Sequence, residues 1–318
     1  MKDYLLDAAC TLRRNYADLP FDTMTNAQTA KRVNERAMVA LERSGESYAY
    51  LAMDSLPADR RGELEEYRLV SSDTREAISG AAYLRMDERA CVETSGEDHL
   101  RIGAYNENGD LFQCYGDCAR IAVQLEDTGL MARNAQVGFL TAMPCDAGMG
   151  MRASMRLHLP MTVMGKQLPA VLKLAAAEGM NLRLVGNGIC LLENRAATAA
   201  DPESVLKKLE ECAQKLCAFE RTLRWRAKER KDINVADKAW RAYALAQYAL
   251  RMGRNEAVRL WSDMTLGAAA DAMPYSQAML DRLWHIAHMP EGKLLQDTNL
   301  QPDVERARRV RAIFSGGD

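Results

Sequence analysis

Strand-like apolar runs and stretches of helical spacing are mixed over roughly the first 230 residues, whereas from Asn234 onward the chain reads as helix almost throughout. Residues 1–25 read as irregular, because Leu5, Leu6 and Leu12 are interleaved with Arg13-Arg14-Asn15 and followed by Pro20. Asn26 is placed to cap a helix running to about Ser44, with Ala30, Val33, Ala37 and Leu41 on one face and Gly45 as the stop. Tyr48 to Met53 is strand-like, Asp59 to Tyr67 a short charged helix, and Leu69-Val70-Ser71 follows. Ala81–Tyr83 and Ala90–Val92 pair as strands across Met86-Asp87-Glu88. Asn106 to Gly109 makes a polar turn, and Leu111 to Leu130 a helix. A strand over 152–159, with Met155, Leu157 and Leu159 alternating, leads into a helix reaching Glu178 and closed by Gly179. Leu182–Val185 and Ile189–Leu192 form a hairpin about Gly186-Asn187-Gly188.

Asp201-Pro202-Glu203 starts a helix with a cap, a pre-set first residue and a first-turn acid. Val205, Leu209, Cys212, Leu216, Phe219 and Leu223 give it one long apolar stripe. The basic run from Arg221 to Lys231 continues that helix as a solvated face; no aromatic platform accompanies it to suggest nucleic acid. The change in composition near residue 230 sets the expected division, 1–230 and a small helical domain over 231–318. Only the Ser315-Gly316-Gly317 tail is of low complexity.

Composition narrows the class. A hydrophobic content of 48% over 318 residues supports a real core, and 42 basic against 44 acidic residues leave a net charge of only −2, too near zero to direct the chain to nucleic acid or a membrane. Apolar runs are too short for a membrane span and Met1-Lys2-Asp3 opens no signal peptide, so a soluble cytoplasmic protein is expected. The eight cysteines miss the Cys-x-x-Cys spacing and are expected as reduced, structural thiols. His285 and His288 read as helix-packing residues, with no third ligand for a metal nearby.

Two stretches carry candidate chemistry. In Gly138–Pro160, the glycines of Gly148-Met149-Gly150 would let backbone N–H groups approach an anion that Arg152 clamps, although a loop arginine in a surface salt bridge fits the same spacing. The second stretch is Glu97-Asp98-His99-Leu100-Arg101-Ile102. Together with Gly148-Met149-Gly150-Met151-Arg152-Ala153-Ser154 it resembles the ATP:guanidino phosphotransferases, the phosphagen-kinase superfamily, with their Asn-Glu-Glu-Asp-His-Leu-Arg and Cys-Pro-Thr-Asn-x-Gly-Thr-x-x-Arg-Ala-Ser motifs. Asp237, Arg241, Tyr243 and Ser262-Asp263-Met264-Thr265-Leu266-Gly267 resemble the helical C-terminal domain of the bacterial protein-arginine kinases.

That resemblance implies an α+β fold: a largely antiparallel sheet flanked by helices, of the glutamine-synthetase-like kind, then a small all-helical domain. It implies ATP and Mg2+ as cofactors and transfer of the γ-phosphoryl group to arginine. A guanidinium, protonated up to a pKa of roughly 12, needs a carboxylate to orient it and take a proton. Glu97 holds that position by resemblance, while Arg101, Arg152 and Arg183 match phosphate-clamping arginines, with Arg14 and His99 as further nucleotide-binding candidates. Asp303 and Arg306 match part of an Arg-Asp-x-x-Arg-Ala phosphoarginine pocket whose first arginine is here Pro302.

The departures are as specific as the matches. The family's Ser-Ser-Arg-x-Arg-Leu-Ala-Arg-Asn reads Asp7-Ala8-Ala9-Cys10-Thr11-Leu12-Arg13-Arg14-Asn15, so two phosphate arginines have become Ala9 and Thr11; Arg13 is a possible substitute. Gly96 replaces a magnesium-site glutamate, Met143 replaces the reactive cysteine with Cys145 as a shifted thiol, and the family's Gly-Glu-Gly-Ser-Glu loop is absent past Arg183. Two expectations follow: a protein-arginine kinase with a degraded site, acting on protein substrates, or a pseudokinase serving an active arginine kinase or Clp-type protease machinery. A homodimer is expected from the helical domain, with no nucleic-acid or membrane partner.

Overall fold

The structure is a computed structural model that describes residues 4–23, 25–71, 80–195, 201–273, 276–296 and 298–315. Met1-Lys2-Asp3 and the tail residues Gly316 and Gly317 lie outside them. The strands are β1 (Leu5–Arg14), β2 (Tyr48–Ala52), β3 (Ala81–Arg85), β4 (Ala90–Thr94), β5 (Leu100–Asn106), β6 (Arg133–Asn134), β7 (Gly138–Phe139), β8 (Met151–His158), β9 (Met180–Gly186) and β10 (Ile189–Asn194). The helices are α1 (Ala27–Arg43), α2 (Ala58–Glu66), α3 (Leu111–Glu126), α4 (Pro160–Met164), α5 (Leu168–Ala177), α6 (Pro202–Glu229), α7 (Ile233–Tyr248), α8 (Arg254–Ala269), α9 (Gln277–His288), α10 (Glu291–Leu294) and α11 (Pro302–Phe314).

Eight strands form one largely antiparallel sheet in the order β2-β3-β4-β5-β1-β8-β10-β9, while β6 and β7 pair separately. Residues 5–14 are therefore not irregular. β1 lies in the middle of the sheet, paired to β5 on one side and β8 on the other. Ala8, Cys10 and Leu12 are buried toward α3, whose Cys114 and Cys118 thiols donate to the Ala8 and Cys10 carbonyls at 3.6 and 3.3 Å. Asp7, Thr11 and Arg13 occupy the alternate positions and face the other way, so a strand covered on both faces shows no simple apolar–polar alternation.

Local signals elsewhere act as expected. The Asn26 side chain accepts from the Gln28 and Thr29 amides at the start of α1. The helix expected from residue 160 to Glu178 is instead two: Gly165 ends α4, Lys166 takes a left-handed φ of 56°, and α5 begins at Leu168.

The chain forms two compact units, one of Met1–Leu157, Leu172–Arg183 and Leu191–Ala213, the other of His158–Val171, Leu184–Cys190 and Gln214–Asp318. The boundary expected near residue 230 falls inside the second unit, just past the end of α6. In the first unit, α1 and α3 pack together, α1 against β4 and α3 against β1 and β5. In the second, α7 packs on α8, α8 on α9, and α11 on both α7 and α9. Its interior carries one polar knot: the Glu220 carboxylate accepts from the Met161 and Thr162 amides, while Arg224 donates to Glu220 and to the His158 carbonyl. Arg224, expected on a solvated face, is thus buried. His288 packs on Trp284 at 3.7 Å between ring centres, but its neighbour His285 is exposed rather than packed. All eight cysteines are free thiols. Among the described residues no helix is long and apolar enough to cross a membrane.

Candidate active site

Register decides which side chains meet. Directly opposed residues of antiparallel strands share a face, as do residues two apart on one strand. Glu93 on β4 opposes Arg101 on β5, Arg101 opposes Arg13 on β1, and Thr11 opposes Arg152 on β8. Glu93, Arg101, Arg13, Thr11 and Arg152 therefore form one strip across four strands. Glu97 and Asp98 reach it from the β4–β5 turn, Asp146 from the loop before β8.

The strip is a chain of ion pairs. Arg101 donates to Glu93 at 2.9 Å and to the Leu69 and Arg68 carbonyls at 3.0 and 2.8 Å. Arg13 lies 3.2 Å from Asp98, 3.6 Å from Glu97 and, through Nε, 3.2 Å from Asp146. Asp146 also accepts from Arg152 at 2.6 Å. Burial would lower the Arg152 pKa, but Asp146, aided by Glu193 and Cys145, raises it above the usual arginine value. Arg183 lies farther out on β9 and pairs with Glu193 at 3.7 Å. The strip thus brings Arg101, Arg152 and Glu97 onto one face, while Arg183 stands beyond it, paired with a Glu193 whose charge also acts on Arg152.

Alternation along β1 separates two neighbours. Arg13 points into the strip; Arg14, a sequence candidate for nucleotide binding, points to the opposite face beside Phe139 and does not join Arg101. His99 does not offer a ring nitrogen to a nucleotide either. Its Nδ1 accepts from the Tyr16 amide at 2.9 Å, so the proton sits on Nε2, which donates to the Pro20 carbonyl at 2.8 Å. Burial keeps this imidazole's pKa below its ordinary value. The glycine turn is also committed: the Gly148 N–H donates to the Phe139 carbonyl, and the Gly150 carbonyl accepts from the Arg13 amide. Through the Gly150 carbonyl the turn braces β1. In the second unit, Asp303 pairs with Arg251 at 2.7 Å, and buried Arg306 donates to the Met252 carbonyl at 3.2 Å.

Residues 66–71 lie over part of the strip's face. Arg68 pairs with buried Asp7 at 2.5 Å, Glu66 with Arg156 at 3.2 Å, and the Ser71 amide donates to Glu93 at 2.9 Å. Only about 10 Å³ of open space remains between Glu97 and Arg101. Glu97 itself is partly open, its side chain 34% exposed.

A resident magnesium ion does not fit these residues. No three His, Cys, Asp or Glu side chains among those described converge as a cation site, and the carboxylates of the strip are committed to arginines. Sequence reasoning missed Glu93 and Asp146. Each lies in a quoted or adjacent stretch, but only the paired strands and the loop's return show what it binds.

Comparison with known proteins agrees with the fold. Residues 29–223 match the family described as ATP:guanido phosphotransferase, C-terminal catalytic domain. The protein-arginine kinase of Caldanaerobacter subterraneus subsp. tengcongensis is 27% identical over 325 residues, covering 97% of this chain and 96% of that protein. The one from Desulforamulus reducens is 31% identical over 279 residues, 83% of this chain and 78% of that protein. Among solved structures, lombricine kinase superposes with a TM-score of 0.60 at 17% identity, over 70% of this chain and 68% of that one. The duplicated taurocyamine kinase from Schistosoma mansoni gives 0.60 at 20% identity; 68% of this chain is covered, and only 33% of that longer one.

Proposed function

The chain belongs to the ATP:guanido phosphotransferase family, and from that premise we propose that it is a protein-arginine-kinase-like phosphotransferase with a weakened site. A guanidino nitrogen of an acceptor arginine attacks the γ-phosphorus of ATP; the bond to the β–γ bridging oxygen breaks, ADP leaves, and the guanidinium proton passes to Glu97. Arg101, Arg152 and Arg13 bind the phosphoryl oxygens, with Arg183 at the outer end. Magnesium would enter with ATP as part of the substrate, and no step depends on a protein-held ion.

The observation that carries this reading is the half-open Glu97 carboxylate beside Arg13, on a strip shared with Arg101 and Arg152. Arg13 lies two residues from Thr11 and therefore on the same face, so the strip keeps a guanidinium on β1 although both family positions have lost theirs. Each lost phosphate ligand costs roughly a hundredfold in rate. Slow turnover follows.

One observation favours a second reading, a pseudokinase that acts as a partner of an active arginine kinase or of Clp-type machinery. Arg13, Arg101 and Arg152 are already matched by carboxylates, and the pocket that Glu97 and Arg101 line holds only about 10 Å³. Incubating the protein with ATP, magnesium and an arginine-rich acceptor, then measuring acid-labile phosphate, separates the two. Turnover that disappears in Glu97→Gln supports the enzyme; no turnover together with no thermal shift by nucleotide removes it.

A further inference from the structure

A cleft of about 380 Å³ opens on the side of the sheet to which Leu12 and Met151 point. It is within the range of small-molecule sites. Its apolar walls include Leu12, Met151, Tyr115 and Phe139, and two cations line it, Arg14 and Arg133. Both guanidinium groups lie over the Phe139 ring, at 3.5 and 4.0 Å from its centre.

Arg14 is the unusual member. Only 6% of it is exposed, its Nη1 donates to the Arg13 and Met149 carbonyls at 2.7 and 3.1 Å, and its buried Nε has no partner. No carboxylate bonds it among the described residues; the nearby Glu126 is taken by Arg133 at 3.0 Å. Burial pulls the Arg14 pKa down to about 10, with Glu126 opposing and Arg133 adding to the fall. A buried cation that lacks a counter-ion is costly, and an anion entering the cleft would relieve that cost while the walls shelter an apolar body.

We propose that this cleft binds a small organic anion, a negatively charged group on a ring-sized apolar body, through Arg14 and Arg133 and apart from the strip that carries Glu97. The inference does not depend on phosphoryl transfer, because an inactive protein would carry the same cleft. Calorimetric titration of the full chain with phenyl phosphate tests it, against inorganic phosphate and benzyl alcohol as the two halves of the probe. Saturable one-to-one binding of phenyl phosphate is expected, with each half at least about tenfold weaker. Arg14→Met, which removes the charge, and Val137→Trp, which fills the mouth from a half-exposed loop position, should each weaken binding about tenfold or more. Arg101→Gln should leave it unchanged. Absence of binding by the unaltered protein overturns the proposal, as does binding that survives both cleft variants or is lost in Arg101→Gln. Should Arg14→Met fail to fold by circular dichroism, Val137→Trp alone decides.

Discussion

Asp146 holds two arginines of the strip at once, Arg13 at 3.2 Å and Arg152 at 2.6 Å. It stands where the family motif has Asn, so on the proposed function the carboxylate would compete with an incoming phosphate for the same donors. Asp146→Asn is expected to tighten ADP binding by about threefold to fivefold, a modest gain because Arg152 is 40% exposed and solvent screens the pair. Thermal shift against ADP concentration checks this, and an unchanged or weaker affinity would mean these arginines do not meet the nucleotide. Asp7 makes the opposite kind of pair. Burial alone would raise its carboxyl, but Arg156 and Arg68 hold it below the ordinary value. Asp7→Asn would leave two nearly buried guanidinium groups short of charge and cost about 3–5 kcal/mol, measurable by urea unfolding. A loss below about 1 kcal/mol would show the network to be solvated.

At the scale of elements, β1 shows how covered strands hide. Its sequence Leu5–Arg14 mixes apolar residues with three charges, because one face meets α3 and ends in Arg14 while the other carries Asp7 and Arg13. Hairpins and caps were plain by contrast, since Gly186-Asn187-Gly188 and Asn26 act on backbone close to themselves. β5 and the segment over it depend on Gly103, where an added Cβ would lie 2.9 Å from the Leu69 carbonyl and 3.1 Å from that of Arg68. These are the two carbonyls that Arg101 grips. Gly103→Ala should therefore destabilise the protein by about 1–3 kcal/mol and speed proteolysis around residues 66–71. Unchanged melting and cleavage would show that the segment is not pressed against the strand.

Over the whole molecule, each compact unit buries a histidine in neutral form. His99 belongs to the first, and His158 to the second. Arg224 donates to His158 Nδ1 at 3.2 Å, so its Nε2 carries the proton given to Ser262 at 2.8 Å. Burial, then the positive charge of Arg224, keeps the His158 pKa well below its ordinary value. The unfolded chain takes up these protons near pH 6.5 while the folded one refuses them, so stability rises with pH up to that point and falls below it. Each histidine contributes a slope of up to about 1.4 kcal/mol per pH unit below pH 6.5. Melting temperature should drop between pH 7 and pH 5. All four tryptophans lie in the second unit, so their fluorescence reports His158, and His158→Phe should flatten the dependence there. A pH-independent tryptophan transition in the unaltered protein would contradict it.

The sequence by itself determined the family, through the Glu97–Ile102 and Gly148–Ser154 motifs, and the local elements whose caps and turns lie within a few residues of what they control. Only the tertiary structure decided which charges work together. Arg13 and Arg14 are adjacent in the chain yet face opposite sides of a sheet, His99 lies within a family motif yet is fixed between two backbone groups, and Asp146 closes on arginines from two strands. The reason is physical: strand alternation separates neighbours, and the partner of a charge is set by register and loop return between residues far apart in sequence.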